Sequence, residues 1–202
     1  MRVLTRLPLG YTRIRRIDLI KNRDELTAVT LLSLALPVVM LAVMALFLPF
    51  NVAGEFFAER WWSLLLLAGA VLAYIPLHEL VHGLVIHLYS GRRAKYGFSF
   101  AYAWAGSDCF FPKGPYLAVA LAPVLFWGAV LAVIQALAPL GWAWWVYLLQ
   151  MVNVSGAAGD LYTVWVTARL PEDILVRDSG TAMEIFAPRN GAPRRRRRLR
   201  RR

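Results

Sequence analysis

Four long apolar stretches dominate the chain, covering residues 27–49, 61–89, 116–137 and 142–168. Each reaches the roughly 20 residues that a helix needs to cross a bilayer. Pro37 interrupts the first as a kink, and Pro123 falls inside the third. Trp61, Trp62, Trp142, Trp144 and Trp145 gather at the beginnings of stretches, where an interfacial aromatic belt places them. Residues 1–26 form a basic arm predicted to lie on the headgroups, with Arg2, Arg6, Arg13, Arg15, Arg16, Lys21 and Arg23 among apolar residues. Between the second and third stretches the pattern changes. Tyr96 to Trp104 alternates aromatic and small residues, a period of two that predicts a strand. Ala105-Gly106-Ser107-Asp108 supplies turn residues, and Cys109 to Pro112 supplies a return, which together predict a short β-hairpin between helices two and three. The predicted fold is therefore an all-α integral membrane protein of about four transmembrane helices, interrupted by that hairpin. The membrane domain covers 27–169, a post-membrane segment 170–190, and a disordered Arg-rich tail 191–202.

Loop charge orients the spans. The arm before the first helix is basic, and the loop Asn51 to Arg60 sets Glu55 and Glu59 against Arg60. The loop after the second helix opens with Arg92, Arg93 and Lys95, and the link Ala138 to Gly141 is uncharged. This alternation predicts both termini in the cytoplasm. Composition excludes a soluble globular domain, because 59% of residues are hydrophobic and the mean hydropathy is +0.52. Cys109 is the single cysteine, so neither an intramolecular disulfide nor a Cys-rich metal site exists. The net charge of +11 describes the tail, where Arg194 to Arg198 and Arg200 to Arg202 supply eight positive charges. Such a run repels itself and attracts anionic lipid headgroups, and no specific nucleic-acid partner is expected after a membrane helix.

The second stretch carries chemistry. His78-Glu79-Leu80-Val81-His82 is an H-E-x-x-H pentad. At about 100° per residue, two His four apart lie about 40° from each other on one helix face, where both imidazoles reach one metal ion. Zn2+ is the natural occupant, with Glu79 placed to take a proton from water. Two satisfied core histidines and a buried Glu are the bland alternative, and ionisable groups at bilayer depth argue against it. Depth selects a third ligand. His78 lies 17 residues after Trp61, and Asp160 lies 18 after Trp142. Under the inferred topology these helices run in the same direction, so the side chains meet at one level. Asn153 and Asp160 are seven apart and share a helix face, with Gly156 between them in a small-residue seam that lets helices approach closely. His87 falls about 140° from His82 and is read as an interfacial His. Asp108 is a weaker third-ligand candidate. The aromatic hairpin offers strand edges for an extended peptide, with Phe98, Phe100 and Tyr102 as candidate substrate-binding residues.

The pentad in a membrane helix, followed by Asn153-Val154-Ser155-Gly156-Ala157-Ala158-Gly159-Asp160 in a later one, resembles the site-2-protease-like membrane zincins. More narrowly, the chain resembles the Putative zincin peptidase family of small prokaryotic membrane proteins. The likeness extends through Phe111-Pro112-Lys113-Gly114-Pro115-Tyr116 and from Leu170-Pro171-Glu172-Asp173 to Pro188. It implies zinc held by His78, His82 and Asp160, with Glu79 as the base, in an inner-membrane peptidase whose core is residues 61–169. A membrane-embedded or membrane-associated protein is the implied substrate. A metal-binding scaffold or sensor, and an ion-translocating subunit, are the rival readings.

Overall fold

The computed structural model describes residues 2–19, 21–98 and 103–189. It is mostly helical, with a four-stranded sheet in addition to the predicted hairpin. In chain order the elements are β1 (Tyr11–Ile17), α1 (Arg23–Ala45), α2 (Phe50–Glu59), α3 (Trp62–Ser90), β2 (Lys95–Phe98), β3 (Ala103–Gly106) and β4 (Phe111–Pro112). Then follow α4 (Lys113–Leu137), a 3-10 turn (Leu140–Trp142), α5 (Ala143–Gly156), α6 (Ala158–Ala168), β5 (Leu175–Asp178) and β6 (Met183–Pro188).

Among the described residues three helices, α1, α3 and α4, are long and apolar enough to cross a membrane. The most apolar window of α4 is 22% buried, against 6% for α1 and for α3, so α4 is the central helix. It packs on α3, α5 and α6, while α1 packs on α5. The predicted fourth span is not one helix. Gly156 and Gly159 each weaken a helix through their backbone freedom, and between them the chain breaks at Ala157 into α5 and α6. The predicted loop Asn51–Arg60 is also corrected. It forms α2, whose Phe56 is buried with its ring 4.9 Å from Trp142, and Phe50 stacks on Trp144 at 5.2 Å.

The arm and the post-membrane segment are not separate attachments. β1 pairs with β6 antiparallel, from Tyr11 opposite Pro188 to Ile17 opposite Met183, in a sheet of order β1-β6-β5-β4. The sheet closes over one end of the helices. Ile17, Ile174, Val176, Met183 and Ile185 bury themselves against Ile86, Tyr116, Val119, Ala120 and Val166. Each aliphatic side chain so buried contributes about 1.5–3 kcal/mol. Two polar pins align sheet and helices. Asn22 caps α1 by accepting the Asp24 N–H at 3.1 Å, and Glu25 in that first turn accepts the Asp18 N–H at 3.1 Å. Lys113, buried at the start of α4, donates to the carbonyls of Ala168 and Leu170 at 3.0 and 2.7 Å and so holds the end of α6.

The hairpin between helices two and three is present, with a return strand earlier than the predicted one. Lys95–Phe98 pairs with Ala103–Gly106, so Ala105 and Gly106 belong to the return strand. Phe111–Pro112 pairs instead with β5. The hairpin seats on α3 where glycine leaves room, since a Cβ on Gly83 would fall 1.8 Å from the Tyr96 hydroxyl. On its other side Gly106 lies against the backbone of Ser179 and Gly180, and Trp104 covers Gly180.

Candidate metal centre

His78 and His82 are buried on the face of α3 turned towards Val119 of α4 and Asp160 of α6. Their ligand nitrogens and the Glu79 carboxylate lie within 4.8 Å of one another. Asp160 enters from α6. Its Oδ2 is 3.1 Å from His78 Nε2 and 3.3 Å from His82 Nε2. The break at Ala157 matters here, because it puts Asp160 in the first turn of α6, where the unpaired N–H groups favour a carboxylate. Thr163 Oγ1 donates to the Asp160 carbonyl at 2.9 Å and fixes that turn.

Hydrogen bonds around the histidines set their protons. His82 Nδ1 is 2.9 Å from the Val119 carbonyl, which can only accept, so Nδ1 carries the hydrogen. That carbonyl is free for a reason visible in the sequence. Four residues on stands Pro123, which has no N–H to donate back along α4. On His78 the order is fixed by a longer chain. Asn153, fully buried, donates from Nδ2 to the Val124 carbonyl at 3.2 Å, which turns its Oδ1 towards Tyr74. The Tyr74 hydroxyl donates to that Oδ1 at 2.8 Å and therefore accepts from His78 Nδ1 at 2.7 Å. Both neutral imidazoles thus present a bare Nε2 lone pair.

Two lone pairs and a carboxylate oxygen converge with no hydrogen between them. Such a group needs positive charge at its centre, from a metal ion or from added protons. The donor set fits zinc, whose ligands at about 2.0–2.1 Å in a tetrahedron lie about 3.3 Å apart. The observed separations of 3.1 and 3.3 Å fit that spacing. Carbonyl and hydroxyl partners on the far ring nitrogens are the usual outer support of metal-binding His.

The remaining candidates separate cleanly. Asn153 sits beneath His78 through Tyr74, and Gly156 ends α5, where an added Cβ would make ordinary contact with Tyr74 at 4.0 Å. The shared helix face expected for Asn153 and Asp160 does not exist, since they lie on α5 and α6. His87 faces away, with Nδ1 at 3.3 Å from the Arg92 carbonyl. Asp108 pairs with Lys95 outside this cluster. Phe98 is 77% exposed on β2, and Phe100 and Tyr102 lie outside the described residues. Sequence reasoning missed Tyr74 and the Val119 carbonyl. Each had a signal, Tyr74 by standing four residues before His78 on its face, Val119 by standing four before a proline.

β3 closes one side of the cluster, with the Ala105 backbone N–H beside the Glu79 carboxylate. No curated protein and no solved structure matches the chain. A family model described as Putative zincin peptidase matches residues 71–175, which include α3 from before Tyr74, the hairpin, α4, α5 and α6. That family implies zinc, and His78, Glu79 and His82 could hold a metal ion. The matched span is more than half of the chain and contains every residue of the cluster, so the chain belongs to the Putative zincin peptidase family.

Proposed function

We propose that the protein is an intramembrane zinc peptidase with a site-2-protease-like core, cutting membrane-embedded or membrane-associated protein substrates. One observation carries the reading: Asp160 Oδ2 meets His78 Nε2 and His82 Nε2 beside Glu79, and the His-Glu-His group stands on a helix apolar enough to span a bilayer. In this reading His78, His82 and Asp160 hold zinc and α5–α6 completes a fourth crossing. Both termini are cytoplasmic, in a prokaryotic inner membrane. Zinc, when bound, supplies Lewis acidity that lowers the pKa of a water and polarises a carbonyl. The chain supplies the rest. Glu79 takes the proton of the attacking water and returns it to the leaving amine, so that its carboxylate is regenerated. Tyr74, Asn153 and the Val119 carbonyl keep the two imidazoles in the tautomer that binding requires. The outer edge of β2 in the β2–β3 hairpin offers main-chain hydrogen bonds to an extended substrate, with Phe98, Phe100 and Tyr102 around it. The Arg-rich tail from Arg194 to Arg202 holds the cytoplasmic segment to anionic headgroups, and it lies outside the described residues.

Glu79→Gln tests the assignment, because the amide is isosteric but cannot take a proton. Purified wild type and variant are incubated with isolated bacterial membranes, and new protein N-termini are read by mass spectrometry. The variant should retain its zinc and generate none of the wild-type cleavages. Identical N-termini from both would remove Glu79 from the reaction.

A further inference from the structure

A second chemically distinct site lies just beyond the end of α3. A cavity of about 330 Å³ opens there, lined by Arg92, Arg93, Lys95, Ser107, Asp108 and Thr5. Asp108 is its single carboxylate and is engaged by Lys95. Among the described residues no carboxylate lies within ion-pair distance of Arg92 or Arg93, so the cavity keeps two guanidiniums without an anionic partner.

The walls are built rather than incidental. Gly91, at φ +67°, closes α3 by donating to the His87 carbonyl at 2.8 Å and turns the chain sharply. Ser90 Oγ accepts the Arg92 N–H at 3.1 Å, and the Arg92 carbonyl accepts from His87 Nδ1 at 3.3 Å, which fixes the backbone that carries both arginines. Opposite them Ser107 is buried, its N–H donating to the Asp178 carbonyl at 2.7 Å and its Oγ accepting the Cys109 N–H at 3.2 Å. Thr5 is brought in by the bridge between Leu4 and Phe110. Two arginines and two hydroxyl side chains lining one cavity supply the positive charge and the donors that a phosphate group takes.

Position selects the source of that phosphate. The 29 residues of α3, at a rise of about 1.5 Å each, cover about 43 Å, the thickness of a bilayer with its headgroups at about 40–45 Å. The cavity begins one residue later, at headgroup level. Basic pockets at that depth hold anionic lipid headgroups. We propose that this cavity is a binding site for the phosphate of an anionic phospholipid, formed by Arg92 and Arg93 and separate from the zinc centre. The proposal rests on α3 crossing the bilayer and is independent of zinc or peptidase chemistry.

Full-length protein in a neutral detergent is titrated with short-chain phosphatidylglycerol, short-chain phosphatidylcholine or inorganic phosphate, and bound species are counted by native mass spectrometry. Three proteins are compared: wild type, Arg92→Gln/Arg93→Gln, and Arg60→Gln/Arg189→Gln, which removes the same charge away from the cavity. Phosphatidylglycerol should bind wild type and the control equally, and at least about tenfold more weakly to the Arg92/Arg93 variant. Zinc content should be the same in all three, which separates loss of this site from loss of the metal centre. Phosphatidylcholine should not compete, and neither should inorganic phosphate. Equal phosphatidylglycerol binding by the Arg92/Arg93 variant and wild type would overturn the site. Tighter binding of inorganic phosphate than of phosphatidylglycerol would overturn the lipid as its occupant.

Discussion

Each imidazole of the cluster is set by an atom that is not a ligand. His82 relies on the Val119 carbonyl, and Val119 is free because Pro123 cannot donate. Pro123→Ala restores an N–H four residues after Val119 and makes α4 compete with His82 for one oxygen. Zinc affinity, measured by chelator competition, should fall about tenfold, the lower end of the outer-shell range. Pro37→Ala, in a helix that contributes nothing to the cluster, should leave it unchanged. Truncating the converging side chains is the harsher test. Wild type should carry about one zinc per chain. His82→Ala and Asp160→Ala should strip it, whereas His87→Ala should retain it, as metal analysis of the purified proteins would show. Equal loss in His87→Ala and His82→Ala would refute the single-face arrangement.

At the scale of elements, the breaks and close approaches matter more than the long helices. A continuous fourth helix would have carried Asp160 in its interior. The two-helix form presents it on a fresh N-terminus, at the same level as the histidines. Depth counting along the sequence reached that level because broken and unbroken helices rise at nearly the same rate. The break itself was signalled by Gly156-Ala157-Ala158-Gly159, which a hydropathy pattern reads only as apolar and small. The hairpin depends on another such approach. In Gly83→Ala the new methyl would fall 1.8 Å from the Tyr96 hydroxyl, so the Tyr96 ring must leave its seat on α3 and loosen the hold on β2. Overpacking of this kind costs about 1–3 kcal/mol. Limited proteolysis should then cut between β2 and β3 faster than in wild type, and Tyr96→Ala in the same chain should restore the wild-type rate. A cleavage rate in Gly83→Ala unchanged from wild type would mean that Tyr96 does not seat the hairpin.

Across the whole molecule, the sheet joins the two ends of the chain beneath the helices. Its charged clasp is Glu184 on β6, bonded to Arg13 of β1 and Arg177 of β5. Burial pushes the Glu184 carboxyl up, but hydrogen bonds and charge from Arg13 and Arg177 outweigh it and hold it below its ordinary value. A carboxyl with a lowered folded pKa binds protons more readily when unfolded. Its contribution is therefore complete above the unfolded pKa and is lost as pH falls through the folded one. Thermal melts in detergent should show wild type losing more stability than Glu184→Gln as pH drops from neutrality into the acid range. Parallel losses would mean that the clasp does not hold the sheet.

The sequence by itself determined what one segment can state alone. Long apolar runs specified α1, α3 and α4, helices long and apolar enough to cross a membrane, because a helix lets so long an apolar segment satisfy its own backbone. Four-residue spacing put His78 and His82 on one face, because helical geometry is local. Alternation specified the hairpin in kind, though not its return strand. What only the tertiary structure decided were relations between distant segments. β1 and β6 find each other across almost the whole chain, and neither short strand buries a face until the helices supply the opposite wall. The proton order on the histidines follows from which carbonyl and which amide happen to stand opposite, contributed by α4 and α5. Asp160 acquires its place only when α6 docks against α4 and is held there by Lys113. The physical reason is the same in each case. Periodicity and hydropathy record how a segment meets an averaged solvent, whereas a site is fixed by individual atoms that the chain brings together from far apart.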